Sequence, residues 1–147
     1  MSGSQIVCRN RKAHYDYEVL ETVEAGIVLT GTEIKSIRQN HVSLDGSFAS
    51  LLDGNVELFN CNIDPYEYGS TFNHPPKRRR RLLLHKSEIA KFAVRAEQRG
   101  FSLIPISMYL LNGRAKVELA ICKGKQKQDK RQAIKERDDK REMNNVT

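Results

Sequence analysis

Four histidines, three cysteines and one dense run of arginine are the side chains of this chain that could do chemistry. Acid–base catalysis needs a histidine held beside a carboxylate, and His14, His41, His74 and His85 stand in no telling spacing to one. No segment reads as a nucleotide-binding loop or a metal-ligand cluster. Cys8, Cys61 and Cys122 lie far apart with no Cys-x-x-Cys spacing; they read as reduced thiols of a cytosolic protein. The stretch that remains is Pro75-Pro76-Lys77-Arg78-Arg79-Arg80-Arg81-Leu82-Leu83-Leu84-His85-Lys86. Residues 77–86 carry six Lys/Arg and no Asp/Glu, the rest of residues 1–122 carries ten against thirteen, and residues 123–147 carry nine against five. Basicity this localised points to a polyanion contacted at particular places. A guanidinium is a forked donor matched to phosphate, while the three leucines behind it require burial. The run is therefore a cationic edge where an element enters the core; a solvated or localisation-type basic loop is the bland alternative.

The elements that must position this edge read mostly as strands. Residues 1–10 are polar and unpatterned, a loose end, and Asn10–His14 suits a short helical turn. Tyr15–Val23 is rich in aromatic and β-branched residues and reads as a strand, broken by Glu24-Ala25-Gly26. Gly26–Thr30 reads as a buried strand. Thr32–Arg38 reads as a short helix capped by Thr30 or Thr32, or as more of that strand. Phe48–Leu52 and Val56–Phe59 flank Asp53-Gly54 as a hairpin, in which a strict two-residue loop puts Phe48 and Phe59 on the opposite face from Leu51 and Val56. Asp64–Pro76 is a long polar loop. Lys86–Gly100 is the clearest helix, with Ser87 as cap, Ile89, Phe92, Ala93 and Ala96 as its stripe and Gly100 closing it. Phe101–Leu111 and Arg114–Cys122 form a hairpin about an Asn112-Gly113 type I′ turn, pairing Leu110 with Ala115, Met108 with Val117, Ile106 with Leu119 and Ile104 with Ile121 on one apolar face.

About six strands and one clear helix, in runs of antiparallel hairpins within roughly 110 residues, predict a mainly β domain, a small antiparallel OB-like barrel with outer helices. The barrel is expected over residues 1–122, with 1–10 loose. Residues 123–147 form a basic tail almost without apolar residues, expected to be disordered when free and to order on an RNA surface. No apolar run approaches the ~18 residues of a membrane span, and the start shows no secretory pattern. A cytoplasmic, monomeric protein without cofactor is expected.

Several pieces resemble the small protein B (SmpB) family, the bacterial partners of transfer-messenger RNA (tmRNA) in ribosome rescue. They are Glu21–Arg38, the Asn73–Lys86 stretch, Leu103–Ile106, Lys116-Val117-Glu118, and Gly124-Lys125 with Asp129-Lys130-Arg131, in order over residues 10–142. The resemblance implies an OB-type barrel that binds the tRNA-like domain of tmRNA. It further implies that alanyl-tmRNA is delivered, with the elongation factor that carries aminoacyl-tRNA, to a stalled ribosome. There the tail would fold as a helix in the empty mRNA channel against small-subunit rRNA at the decoding region. The tmRNA-binding positions it implies are Glu24, Leu83 and His85, with Lys77, Arg78, Arg79, Arg80 and Arg81 beside them. The tail positions are Lys123, Gly124, Lys125, Lys127, Gln128, Asp129, Lys130 and Arg131. Gln128 stands where relatives carry His or Tyr, and Gly46 and Phe48 replace Asp and Tyr of a usual Asp-Ser-Tyr piece.

Two rival classes stand beside this one. An RNA nuclease or modifying enzyme would need one of the four histidines paired with a carboxylate. A general single-strand-binding barrel would need aromatic stacking platforms, for which Tyr17, Tyr66, Tyr68, Phe72 and Tyr109 are candidates. Preference for tmRNA over unstructured RNA of equal length separates the latter from the SmpB reading.

Overall fold

The structure, a computed structural model, describes residues 4–69, 73–97 and 100–124. Its elements in order are β1 (Gln5–Arg9), α1 (Arg11–Asp16), β2 (Tyr17–Ile27), α2 (Gly31–Arg38), β3 (Val42–Ser43), β4 (Phe48–Leu52), β5 (Asn55–Phe59), β6 (Asn62–Ile63), β7 (Arg80–Leu83), α3 (Lys86–Glu97), β8 (Phe101–Leu111) and β9 (Arg114–Gly124). The principal sheet runs β1-β8-β4-β5-β7-β2-β9, and an additional β8–β9 pairing closes it into the antiparallel barrel that the strand pattern predicts. β3 and β6 form a separate two-stranded sheet.

The closing hairpin shows how sequence sets register. Asn112 and Gly113 both have positive φ, 52° and 79°, the geometry of a type I′ turn that matches strand twist. Leu110 pairs with Ala115 and Met108 with Val117 as expected, but a bulge between Pro105 and Ser107 shifts the far half of the ladder, so that Leu103 faces Ile121 and Ile104 faces Ala120. The expected Ile106–Leu119 and Ile104–Ile121 pairs do not form. Pro105 has no N–H to give to a ladder, and proline inside a strand settles at a bulge. One extra residue reverses the faces. Leu103 and Met108 enter the main core, whereas Ile104 and Ile106 turn outward into a second small cluster with Ala13, Ala120 and Cys122. Asn10 occupies the carbonyls at the bulge, its backbone N–H on Ile106 and its side-chain amide on Pro105, both at 2.9 Å.

Four further expectations change. Residues 5–9 are a strand, not a loose end: β1 pairs with Ser107–Leu110 of β8. β8 is eleven residues long, and β4 meets it only at Leu103, so the far half of that edge is free to take a partner. β2 runs unbroken through Glu24-Ala25-Gly26, because β9 pairs with it as far as Gly26 and Ala25 is wholly buried. β9 likewise continues two residues beyond Cys122, with Lys123 opposite Glu18 and Gly124 opposite Tyr17. The predicted cap of α3 also moves. His85 precedes the helix, accepts from the Ile89 N–H and donates its own backbone N–H to Glu88 at 3.0 Å, leaving Ser87 inside the first turn.

The main core gathers Val56, Leu58, Leu82, Met108, Val117, Leu119 and Ile121 from the barrel wall, and Phe92 of α3 joins it, 2% exposed. α3 packs on β8, β4 and β9. The Asp53-Gly54 hairpin has the strict two-residue register, and Phe48 and Phe59 stack across it at 5.2 Å on the outer face.

Candidate nucleic-acid interface

The five-residue basic run does not act as one block. A turn closes with the Arg78 N–H on the Pro75 carbonyl, which puts Pro76 at the position where a fixed φ suits a turn and leaves Lys77 exposed at its corner. β7 comes next, and its pleat sends Arg80 and Leu82 inward, Arg81 and Leu83 outward.

Arg80 is therefore corrected out of the expected phosphate-binding set: it is wholly buried. Its Nε donates to Glu33 Oε2 at 2.5 Å, Nη1 to the Cys61 carbonyl at 2.7 Å and Nη2 to the Pro76 carbonyl at 3.1 Å. Arg78 is largely committed to the same carboxylate. Its Nη2 reaches Glu33 Oε1 at 2.7 Å and the Val28 carbonyl at 3.2 Å. Glu33, buried, also accepts the Thr30 N–H at 2.8 Å within a capping box that starts α2. Burial opposes its ionisation, but hydrogen bonds from Arg78, the Thr30 N–H and Arg80 outweigh that and hold the carboxyl down to about 2. One carboxylate thus ties α2, the β5–β6 connection and the turn before β7 into a fixed frame. Such a group is buried only because it is fully paired.

The charges left facing outward are Lys77, Arg79 and Arg81, all exposed. Arg81 stands opposite Glu57 on β5, at 3.9 Å and with its side chain half-exposed, a contact of little strength.

The outer face beside them is set by register across three strands. Gly26 of β2 pairs with Leu83 of β7 on one side and with Lys116 of β9 on the other, so Leu83, Gly26 and Lys116 form a transverse row. Leu83 is 54% exposed, and a Cβ on Gly26 would lie 3.3 Å from the Leu83 Cβ; the glycine lets the leucine lie down over β2. The groove around the row also takes in Leu29 and Ile34. Glu24, two residues along β2 and exposed, accepts a hydrogen bond from the Tyr109 hydroxyl of β8. Burial, then the Glu24 carboxylate, raises the Tyr109 phenol far above its ordinary range, so it remains a donor. His85 is exposed just beyond β7. The fold therefore brings Glu24, Leu83 and His85 to one surface beside Arg81 and Lys116, with Arg79 next to Arg81: donors for phosphate around an apolar centre, with one oriented carboxylate. This is the composition that RNA recognition uses, phosphate contacts beside hydrogen bonds and apolar contact to unpaired bases.

Lys116 and Glu33 escaped the sequence reading of the site. Thr30-x-x-Glu33 is a capping-box spacing, a signal that marks Glu33 as structural; the place of Lys116 depends on which strand β9 meets. Of the tail positions, Lys123 and Gly124 close β9, whereas Lys125, Lys127, Gln128, Asp129, Lys130 and Arg131 lie outside the described residues, as does Phe72. His74, Cys61 and Cys122 are used structurally. His74 is buried with Nε2 at 2.9 Å from the Ile63 carbonyl and Nδ1 at 2.8 Å from the Thr32 hydroxyl, so Nε2 carries the proton and Nδ1 accepts. Burial pushes the Cys61 and Cys122 thiols up to about 11, away from reactivity. No described helix is long and apolar enough to cross a membrane.

Comparisons with known proteins bear on the family of the whole chain. The family model "SmpB protein" matches residues 7–147. The chain is 52% identical over 141 residues to the SsrA-binding protein of Desulfitobacterium hafniense, covering 96% of this chain and 90% of that protein. It is 51% identical over 139 residues to the SsrA-binding protein of Halothermothrix orenii, covering 95% and 90%. Among solved structures, a chain of "tmRNA-SmpB: a journey to the center of the bacterial ribosome" superposes with a TM-score of 0.70 at 46% identity, covering 86% of this chain and 93% of that one. With a match that runs through barrel, basic edge and C-terminal segment alike, the chain belongs to the SmpB protein family.

Proposed function

We propose that this protein binds the tRNA-like domain of tmRNA on the face formed by Glu24, Leu83 and His85, with Lys77, Arg79, Arg81 and Lys116 holding phosphates around it. The observation that carries this reading is the half-exposed Leu83 locked in register between Gly26 and the cationic edge, on a member of a family whose relatives are named SsrA-binding proteins. The protein acts by binding, without catalysis, as a cytoplasmic monomer. It brings alanyl-tmRNA, together with the elongation factor that carries aminoacyl-tRNA, to ribosomes stalled without a codon to read. The tail beyond Gly124 then occupies the empty mRNA channel. Lys125, Lys127, Lys130 and Arg131 meet small-subunit rRNA there, and Gln128 hydrogen-bonds where relatives place a ring. Two steps are divided between two parts, recognition on the barrel and registration in the ribosome on the tail.

Sequencing the RNA that co-purifies with the protein from cells tests the reading. Enrichment of one structured RNA with a tRNA-like end supports it. Uniform recovery of unstructured RNA would instead support the general single-strand-binding barrel.

A further inference from the structure

On the flank of α2 turned away from Glu33, the loop after β6 presents two tyrosines that the interface above leaves unused. Tyr66 and Tyr68 meet edge to face, ring centres 5.7 Å apart at 71°, and the Lys35 ammonium lies over the Tyr66 ring at 5.4 Å. Tyr68 is 75% exposed, the highest figure among the exposed large hydrophobic residues. Single exposed rings are ordinary on protein surfaces; this one is held by a built support. The Asn73 side chain accepts the Tyr66 N–H at 3.1 Å and donates to the Tyr66 carbonyl at 2.8 Å, pairing with that backbone as a strand would. The same Asn73 oxygen accepts the His74 N–H, and His74 is bonded to Thr32 of α2. Gly69 lies so close that a Cβ there would be 2.4 Å from Asn73 Nδ2. Tyr66 is thus tied through Asn73 and His74 to α2, with Tyr68 exposed beside it.

We infer that Tyr68, backed by Tyr66 and Lys35, is a stacking platform for one unpaired base of the RNA bound on the Leu83 face. Three observations point to RNA. A ring edge-on to a second ring and free on its outer side is what base stacking needs. α2 links the two surfaces: Ile34 lines the Leu83 groove while its neighbour Lys35 covers Tyr66, so one nucleic acid crossing α2 reaches both. Lys35 is the cation recorded at the tyrosine pair, and Asp64 and Glu67 are its acidic neighbours in the chain. The platform adds stacking, not phosphate neutralisation, and its contribution is insensitive to salt, unlike that of Arg79 and Arg81. This inference rests on the proposed RNA partner and is separable from it by experiment.

The chain contains no tryptophan, so Tyr68→Trp introduces a single indole reporter. In the full chain titrated with the isolated tRNA-like domain of tmRNA, stacking quenches that fluorescence with the same midpoint as overall binding. A control, Val94→Trp on the exposed outer side of α3, is not quenched. Tyr68→Ala weakens binding about 5- to 150-fold with an unchanged salt slope, by the usual range for base–aromatic stacking, and Tyr68→Phe retains affinity. Gly69→Ala, which leaves both rings and breaks the Asn73 clamp, weakens binding in the same direction. Binding by the Tyr68→Trp protein without quenching overturns the platform while leaving the proposed RNA partner standing; absence of binding by the wild-type chain overturns the partner itself. A fluorescence change that appears only with whole small ribosomal subunits assigns Tyr68 to a ribosome contact and also overturns the inference.

Discussion

Glu33→Gln is the substitution that separates the framework of the basic edge from its binding surface. The carboxyl is held at about 2 against an ordinary value of 4.5, a difference that corresponds to ~3 kcal/mol of stability at neutral pH. Gln keeps the volume and one acceptor for the Thr30 N–H. Its amide nitrogen, however, would face Arg80 Nε across the present 2.5 Å contact, donor against donor, with the Arg80 charge left buried. Stranding one partner of a buried pair costs about 3–5 kcal/mol, so Glu33→Gln is expected to lose about that much in urea unfolding at pH 7. The pH dependence has a definite sign. Because the folded value is depressed, the stabilisation is present above 4.5 and is lost as pH falls through 2, so the wild-type advantage over Glu33→Gln shrinks across that window. Adding Arg80→Met to Glu33→Gln recovers part of the loss, since no charge is then stranded. A change below ~0.5 kcal/mol at pH 7, or an advantage independent of pH between 4.5 and 2, would refute the claim that Glu33 is the hub.

Arg79→Ala with Arg81→Ala is expected to shift stability by less than ~0.5 kcal/mol and to lower the log–log salt slope of tmRNA binding by about one per lost phosphate contact. Arg80→Ala does the reverse: it loses stability, and at temperatures where it remains folded the slope is that of wild type. Gly26→Val, whose side chain would displace Leu83 from 3.3 Å, weakens RNA binding while leaving the barrel's circular dichroism intact. A chain ending at Gly124 keeps tmRNA binding but does not support tagging on stalled ribosomes, an assay in which Gln128→Ala falls below wild type.

Much of the barrel was legible because its signals are local. Asn112-Gly113 fixed a turn, and the near half of the β8–β9 pairing came with it. Pro105 then moved the far half by one residue, and period-two reasoning carried Ile104 and Ile106 to the wrong face because it contained no bulge. Gln5–Arg9 looked structureless for a different reason: its strand identity comes from an open edge of β8, a property of the partner and not of those five residues. The candidate site was legible as a list and illegible as a division of labour. Alternation in Arg80-Arg81-Leu82-Leu83 sends Arg80 inward only once Leu82 is known to face the core, and burial of a guanidinium requires Glu33, 47 residues away along the chain. Lys116 joins the surface solely through pairing of β9 with β2, which no local pattern announces.

The most direct test of the account is the affinity of Leu83→Asp for the tRNA-like domain of tmRNA, measured at one fixed salt concentration beside wild type. Leu83 is half-exposed, so the barrel folds without it, and unfolding by urea serves as the internal check. The account predicts a loss of about 30-fold or more, the scale of an interface anchor removed and a carboxylate placed against phosphate. A folded Leu83→Asp protein that binds this RNA as tightly as wild type would place the interface elsewhere on the molecule.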